Sequence, residues 1–171
     1  MANELQVSID DKHLDVGFVP ACDCLPSHLS CIGAKEWMKA QLGVWRFNYE
    51  GRDIRDKKVH PATFPISLAS RVIELLTHKG ELVLDPFVGS GTTLVAAMDL
   101  ARNAVGFDLQ YRYVELARHR LVEGDKAPLF QQTKQIAIND DARNIDQYLI
   151  PETVKLIFTS PPYANLLNRQ R

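Results

Sequence analysis

From residue 60 to residue 159 two kinds of hydrophobic period take turns, and that alternation leaves few architectures open. Short apolar runs such as Leu82-Val83-Leu84 and Ala104-Val105-Gly106-Phe107 read as buried strands, and the stretches between them carry apolar residues at helical spacing. Strand and helix in alternation is the signature of an α/β domain with a mainly parallel sheet. Ile66, Ala69, Val72, Ile73 and Leu76 predict a helix over 66–78, with Pro65 at its first turn and Gly80 as its stop. Strands are predicted over 81–85, 104–108, 135–139 and 154–159, and further helices over 92–101, 111–122 and, shorter, 142–148. The count is four strands.

The first 59 residues lack this regularity. Asp10, Asp11, Asp15 and Asp23 mix with Pro20 and Pro26, and only the run from Ala34 to Trp45 suggests a helix. Residues 46–58 then interleave Arg46, Arg52, Arg55, Lys57 and Lys58 with aromatics including Phe47 and Tyr49. That pattern suits a nucleic-acid face or a solvated segment whose aromatics tuck into the core, and the expectation is the second.

A chain of 171 residues with 46% hydrophobic residues can bury one ordinary core, and its net charge of -1 requires any contact with a polyanion to be local. No apolar run approaches the roughly 20 residues that span a bilayer, and the first ten residues do not resemble a secretory signal. A soluble cytoplasmic protein without membrane contact is expected. The three cysteines are an odd count, read as reduced thiols. Cys22, Cys24, His28 and Cys31 make a C-x-C-x3-H-x2-C cluster of four ligand types, but one residue between Cys22 and Cys24 suits a tetrahedral site poorly. With Pro20 and Pro26 nearby, a loop without bound metal is expected.

The chemistry concentrates after the first strand, where Asp85-Pro86-Phe87-Val88-Gly89-Ser90-Gly91-Thr92-Thr93 gives a strand, a glycine-containing turn and a helix start in succession. In open α/β sheets ligands bind at the carboxyl ends of the strands, and glycines let the backbone approach them. A P-loop needs a lysine after its last glycine, and Gly91 is followed by Thr92; the group that neutralises β- and γ-phosphates is missing. A dinucleotide fingerprint needs glycine or alanine at 94, which is Leu94, so NAD becomes the runner-up. Asp108, closing the second strand, can accept bonds from ribose hydroxyls. An adenosine-bearing cofactor without a pyrophosphate fits best.

Asp85-Pro86-Phe87-x-Gly89-x-Gly91-Thr92-Thr93, followed later by Thr159-Ser160-Pro161-Pro162-Tyr163, resembles the amino-group DNA methyltransferases that use S-adenosyl-L-methionine. His60-Pro61-Ala62-Thr63-Phe64-Pro65 resembles the family segment that helps hold the methionine end of the cofactor, and Asp108 and Asp141-Ala142 resemble its ribose-binding and adenine-contacting acids. The likeness covers residues 60–163, and the order of the two motifs resembles the γ arrangement. It implies cofactor binding by His60, Thr63, Phe64, Asp85, Phe87, Gly89, Gly91, Thr92, Asp108, Asp141 and Ala142. It implies catalytic roles for Ser160, Pro161, Pro162 and Tyr163: the Ser160 hydroxyl and Pro161 carbonyl accepting from the target amine, the prolines stiffening the turn, and Tyr163 stacking on a base flipped out of duplex DNA. Serine at the first motif position resembles members that methylate N4 of cytosine. N6 of adenine, a structured RNA, or a catalytically silent cofactor-binding module are the alternatives.

The fold implied is a Rossmann-like methyltransferase three-layer α/β sandwich with strand order 3-2-1-4-5-7-6, of which this chain carries four of seven strands. The organisation expected is an N-terminal extension over 1–59 and, over 60–171, the cofactor-binding and catalytic-motif part of a methyltransferase domain, truncated at its C-terminus. An N-terminal half completed by a C-terminal polypeptide is the expectation, with folding of the first 59 residues over the fourth strand as the alternative.

Overall fold

The computed structural model describes residues 13–25, 27–41, 43–55, 63–123 and 133–162. In chain order these form α1 (Ala34–Ala40), α2 (Gly51–Ile54), α3 (Ile66–Leu76), β1 (Leu82–Asp85), α4 (Thr92–Asp99), β2 (Asn103–Phe107), α5 (Tyr111–Glu123), β3 (Gln135–Ile138), a 3₁₀ helix (Ala142–Gln147) and β4 (Val154–Ile157). The four strands make one parallel sheet in the order β3-β2-β1-β4. This is the α/β domain with a parallel sheet that the alternating periods predict.

Because side chains alternate across a strand, each strand feeds two cores. Val83, Ala104 and Ala137 face Ile73 of α3, Leu94 and Ala97 of α4, and Val114 and Ala117 of α5. Leu82, Leu84, Val105 and Phe107 face the other way, where Ile145, Tyr148 and Leu149 cover them together with Leu14 and Val16. The backbone of Leu14 donates to the Tyr148 carbonyl at 2.8 Å, so the N-terminal segment packs on this sheet face. The fully buried strands β1 and β2 read as continuous apolar runs because both faces are covered.

β4 departs from the buried strand expected over 154–159. A bulge shifts its register between Leu82 and Val83, so that Val154 opposes Leu82 on one face and Leu156 opposes Val83 on the other. Lys155 is exposed, and so is Ile157, opposite Leu84, at 61%. Among the described residues β4 pairs only with β1.

Gly80 does not stop α3. Thr77 ends it by turning extended (φ -136°, ψ 155°) while its hydroxyl donates to the Ile73 carbonyl at 2.6 Å. α2 carries no apolar period and was not predicted; reciprocal capping between Glu50 and Asp53 forms it. Asp53 is buried, and its second oxygen accepts from the Ile66 backbone at 2.8 Å, fixing the start of α3. In the basic and aromatic stretch the aromatics do not tuck into the core as expected: Trp45 and Tyr49 are exposed, the Trp45 indole donating to the Ala40 carbonyl at 2.8 Å and packing edge-on to Phe47, and the Tyr49 hydroxyl donating to the Thr63 carbonyl at 2.8 Å. Among the described residues no helix is long and apolar enough to cross a membrane.

Candidate functional site

The carboxyl ends of all four strands open into one crevice of about 200 Å³. Parallel strands with covered faces leave this end as the place where loops from different strands meet. The turn after β1 contributes Phe87, Gly89 and Thr92, the end of β2 contributes Asp108, the segment after β3 contributes Asp141 and Ala142, and the segment after β4 contributes Ser160, Pro161 and Pro162. Thr63 and Phe64, ahead of α3, close the remaining side. The Phe158 backbone donates to the Leu84 carbonyl at 3.0 Å, which carries β4's pairing with β1 to within two residues of Ser160.

His60 and Tyr163 lie outside the described residues. Two other predicted residues sit behind the crevice wall. Asp85 is 1% exposed; the Thr93 hydroxyl donates to its Oδ2 at 2.5 Å and the Phe87 backbone to its Oδ1 at 3.1 Å, so the carboxylate holds the turn to the start of α4. Burial pushes this carboxyl up, the charge of Asp108 adds to the effect, and the bonds from Thr93 and Phe87 oppose it. Gly91 has φ +81°, and a Cβ there would lie 2.7 Å from the Ala117 Cβ. Its lack of a side chain serves the close approach of α5.

Asp108 is only partly buried. Its Oδ2 accepts from the Gly89 backbone at 3.1 Å and its Oδ1 from the Gln110 backbone at 2.8 Å, leaving lone pairs on both oxygens directed by two fixed loops. Asp141 accepts from the Arg143 backbone at 2.9 Å and pairs with its guanidinium at 2.6 Å, and Arg143 holds the carboxyl down at about 2. The Thr63 hydroxyl is buried with no hydrogen-bond partner among the described residues, a polar atom at the crevice that a ligand can satisfy. Phe64 stacks edge-on against Phe158 with centroids 5.4 Å apart, which seats the Thr63 segment against the strand that leads to Ser160.

Asp140 and Arg120 were missed by sequence reasoning. Asp140 lines the crevice and accepts from the Tyr148 hydroxyl at 2.8 Å, the Asn144 amide at 3.0 Å and the Asp141 backbone at 2.7 Å. The Tyr148 bond holds its carboxyl below the usual range. Its place beside Asp141 was the available signal. Arg120, buried on α5, donates from one guanidinium nitrogen to the Ser90 carbonyl at 2.7 Å and to the Thr92 hydroxyl at 3.2 Å, bracing the turn from behind. An arginine among the apolar positions of a helix was the signal there.

The model of the N6/N4 methyltransferase family, described as DNA methylase, matches residues 14–119. The type II methyltransferase M.BglI of Bacillus subtilis is 40% identical over 87 residues, which are 50% of this chain and 24% of that protein. M2.DpnII of Streptococcus pneumoniae, also a type II methyltransferase, is 47% identical over 62 residues, 36% of this chain and 23% of that protein. The chain thus spans about a quarter of the length of these curated relatives. Among solved structures, M1.HpyAVI in complex with SAM aligns with a TM-score of 0.36 at 39% identity, covering 36% of this chain and 30% of that one.

Proposed function

The chain belongs to the N6/N4 family of DNA methylases, and we propose that it serves site-specific methyl transfer from S-adenosyl-L-methionine to an exocyclic amine of DNA, with N4 of cytosine as acceptor. The observation that carries this reading is the single crevice lined jointly by Phe87 and Gly89, by Asp108, by Asp141 and Ala142, and by Ser160 to Pro162. Those are the segments by which the sequence resembles the family, and they arrive from four different strands. The relatives are named type II methyltransferases, and restriction–modification is the biological context proposed.

The residues present fit an adenosine-bearing group. Asp108 offers free lone pairs where ribose hydroxyls donate, Ala142 and Phe87 offer apolar contact for a purine, and the unpartnered Thr63 hydroxyl offers a bond toward the methionine end. Asp85, Thr93 and Arg120 keep the turn in shape without lining the crevice. The bound cofactor supplies a methyl group on a positively charged sulfur, electrophilic enough for an amine to attack.

The amine itself is the difficult partner, because its lone pair is delocalised into the base ring. Accepting its two N–H hydrogens from fixed directions pyramidalises the nitrogen and points the lone pair along one line. The Ser160 hydroxyl and the Pro161 carbonyl are the acceptors proposed. Proline at 161 and 162 fixes φ near -65°, so this turn loses little entropy when it grips a base. The base must leave the stack to reach a crevice of this size, and Tyr163 is proposed to stack on it. Serine at position 160 favours cytosine over adenine.

Incubation of the full chain with duplex DNA and labelled cofactor, then digestion and nucleoside mass analysis, tests the reading. N4-methylcytosine is expected. N6-methyladenine would overturn the acceptor while keeping the transfer, and calorimetry showing no binding of S-adenosyl-L-methionine or S-adenosyl-L-homocysteine would overturn the whole assignment.

A further inference from the structure

At the other end of β1 from the crevice, three sulfurs and an imidazole nitrogen converge. The ligand atoms of Cys22, Cys24, Cys31 and His78 all lie within 4.8 Å of one another. His78 Nδ1 is 3.4 Å from the Cys22 sulfur and 3.6 Å from the Cys31 sulfur. A tetrahedral zinc with bonds of about 2.3 Å to sulfur and about 2.0 Å to nitrogen has N···S edges of about 3.5 Å. From this match we propose that Cys22, Cys24, Cys31 and His78 form a structural Cys₃His zinc site, independent of the methyl-transfer reading.

The site was not legible as such because its fourth ligand is remote. The C-x-C-x3-H-x2-C run names His28, whose side chain is exposed, and the fold substitutes His78. His28 contributes its backbone instead: its carbonyl accepts from His78 Nε2 at 3.0 Å. That bond places the ring proton on Nε2 and leaves the Nδ1 lone pair facing the sulfurs, the arrangement by which metal-binding histidines are commonly oriented. The Lys79 backbone donates to the Cys31 sulfur at 3.3 Å, a bond that suits a thiolate better than a thiol.

Charge and packing agree. Three thiolates, a neutral imidazole and Zn²⁺ sum to one negative charge. The buried guanidinium of Arg102 lies within electrostatic reach of Cys22 and Cys31, held by the Thr77 and Leu100 carbonyls at 2.7 Å each. Glu74 and Glu81 also lie in its field. The ligands come from two segments already in close contact: Ala21 donates to the Lys79 carbonyl at 2.6 Å, and a Cβ on Gly80 would meet the Ala21 Cβ at 2.7 Å. With four protein ligands the site keeps no open position, and β1 separates it from the crevice by roughly 13 Å. The ion therefore ties the N-terminal segment to the turn between α3 and β1 and takes no part in transfer.

Elemental analysis of the full chain, expressed without added metal, should find one zinc per chain. His28→Ala should keep it, whereas His78→Ala and Cys31→Ser should lose it. Because the last two variants can fail to fold, alkylation of the unaltered protein gives a second reading: the three cysteines should resist iodoacetamide until a chelator is added, then react together. Substoichiometric metal, equal alkylation with and without chelator, or a disulfide between any two of these cysteines would each overturn the proposal.

Discussion

The backbone N–H of Gly89 donates to Oδ2 of Asp108 at 3.1 Å, which locks the turn after β1 to the residue that ends the β2 segment. The two loops that wall the crevice are therefore one unit. Asp108→Ala removes both the acceptor for Gly89 and the proposed partner of the ribose hydroxyls. Cofactor affinity by calorimetry should fall by roughly 1.5–3 kcal/mol, about tenfold to a hundredfold, through lost charge-assisted bonds. Unchanged affinity would remove Asp108 from the site.

Ser160→Ala should separate binding from turnover. Ser160 lines the crevice from the segment after β4, and its proposed partner is the target amine. Methyl transfer should drop by one to two orders of magnitude while cofactor affinity stays within about twofold, the pattern of an interaction made in the transition state. A parallel loss of cofactor affinity would mean that Ser160 holds the cofactor instead.

Gly91→Ala should destabilise the fold by about 2–4 kcal/mol. It forces a side chain into φ +81°, and its Cβ would sit 2.7 Å from that of Ala117, inside the close approach between α4 and α5. Denaturant unfolding measures the loss. A second change, Ala117→Gly, should recover part of it by relieving the contact, leaving the backbone strain.

Much of this arrangement was written locally. Each strand and each of the long helices follows from runs such as Leu82-Val83-Leu84 and from the spacing of Ile66, Ala69 and Ile73, because burial on two faces or on one stripe leaves a periodic trace. The turn after β1 was legible because it sits at a strand's carboxyl end, whereas Thr63-Phe64, Asp141-Ala142 and Ser160 to Pro162 were read through their resemblance to family segments. What left no local trace depends on contacts far apart in sequence. The bulge that turns Leu156 toward α3 is set by pairing with β1. α2 is the exception: its trace, the capping pair Glu50 and Asp53, is local but carries no apolar period. His78 joins three cysteines 47 to 56 residues away, and no spacing rule reaches that far.

Two crevice-side carboxylates should shift stability with pH in opposite directions. Asp85 is raised above its ordinary value of 3.8 by burial, so between 3.8 and its folded value the native state holds more protons than the unfolded one. Stability then falls as pH rises through that window, and the Asp85 contribution is fully present only below 3.8. Asp141 is held down at about 2 by Arg143, so between about 2 and 3.8 the unfolded state holds more protons. Its contribution is present above 3.8 and is lost as pH falls toward 2. Thermal unfolding of the protein, Asp85→Asn and Asp141→Asn across this range checks both signs. The gap in Tm between the protein and Asp85→Asn should move against the protein as pH rises above 3.8. The gap to Asp141→Asn should close as pH falls toward 2, and because that pair is exposed, added salt should shrink it. Gaps that ran parallel for the two variants would mean that burial does not raise the Asp85 carboxyl.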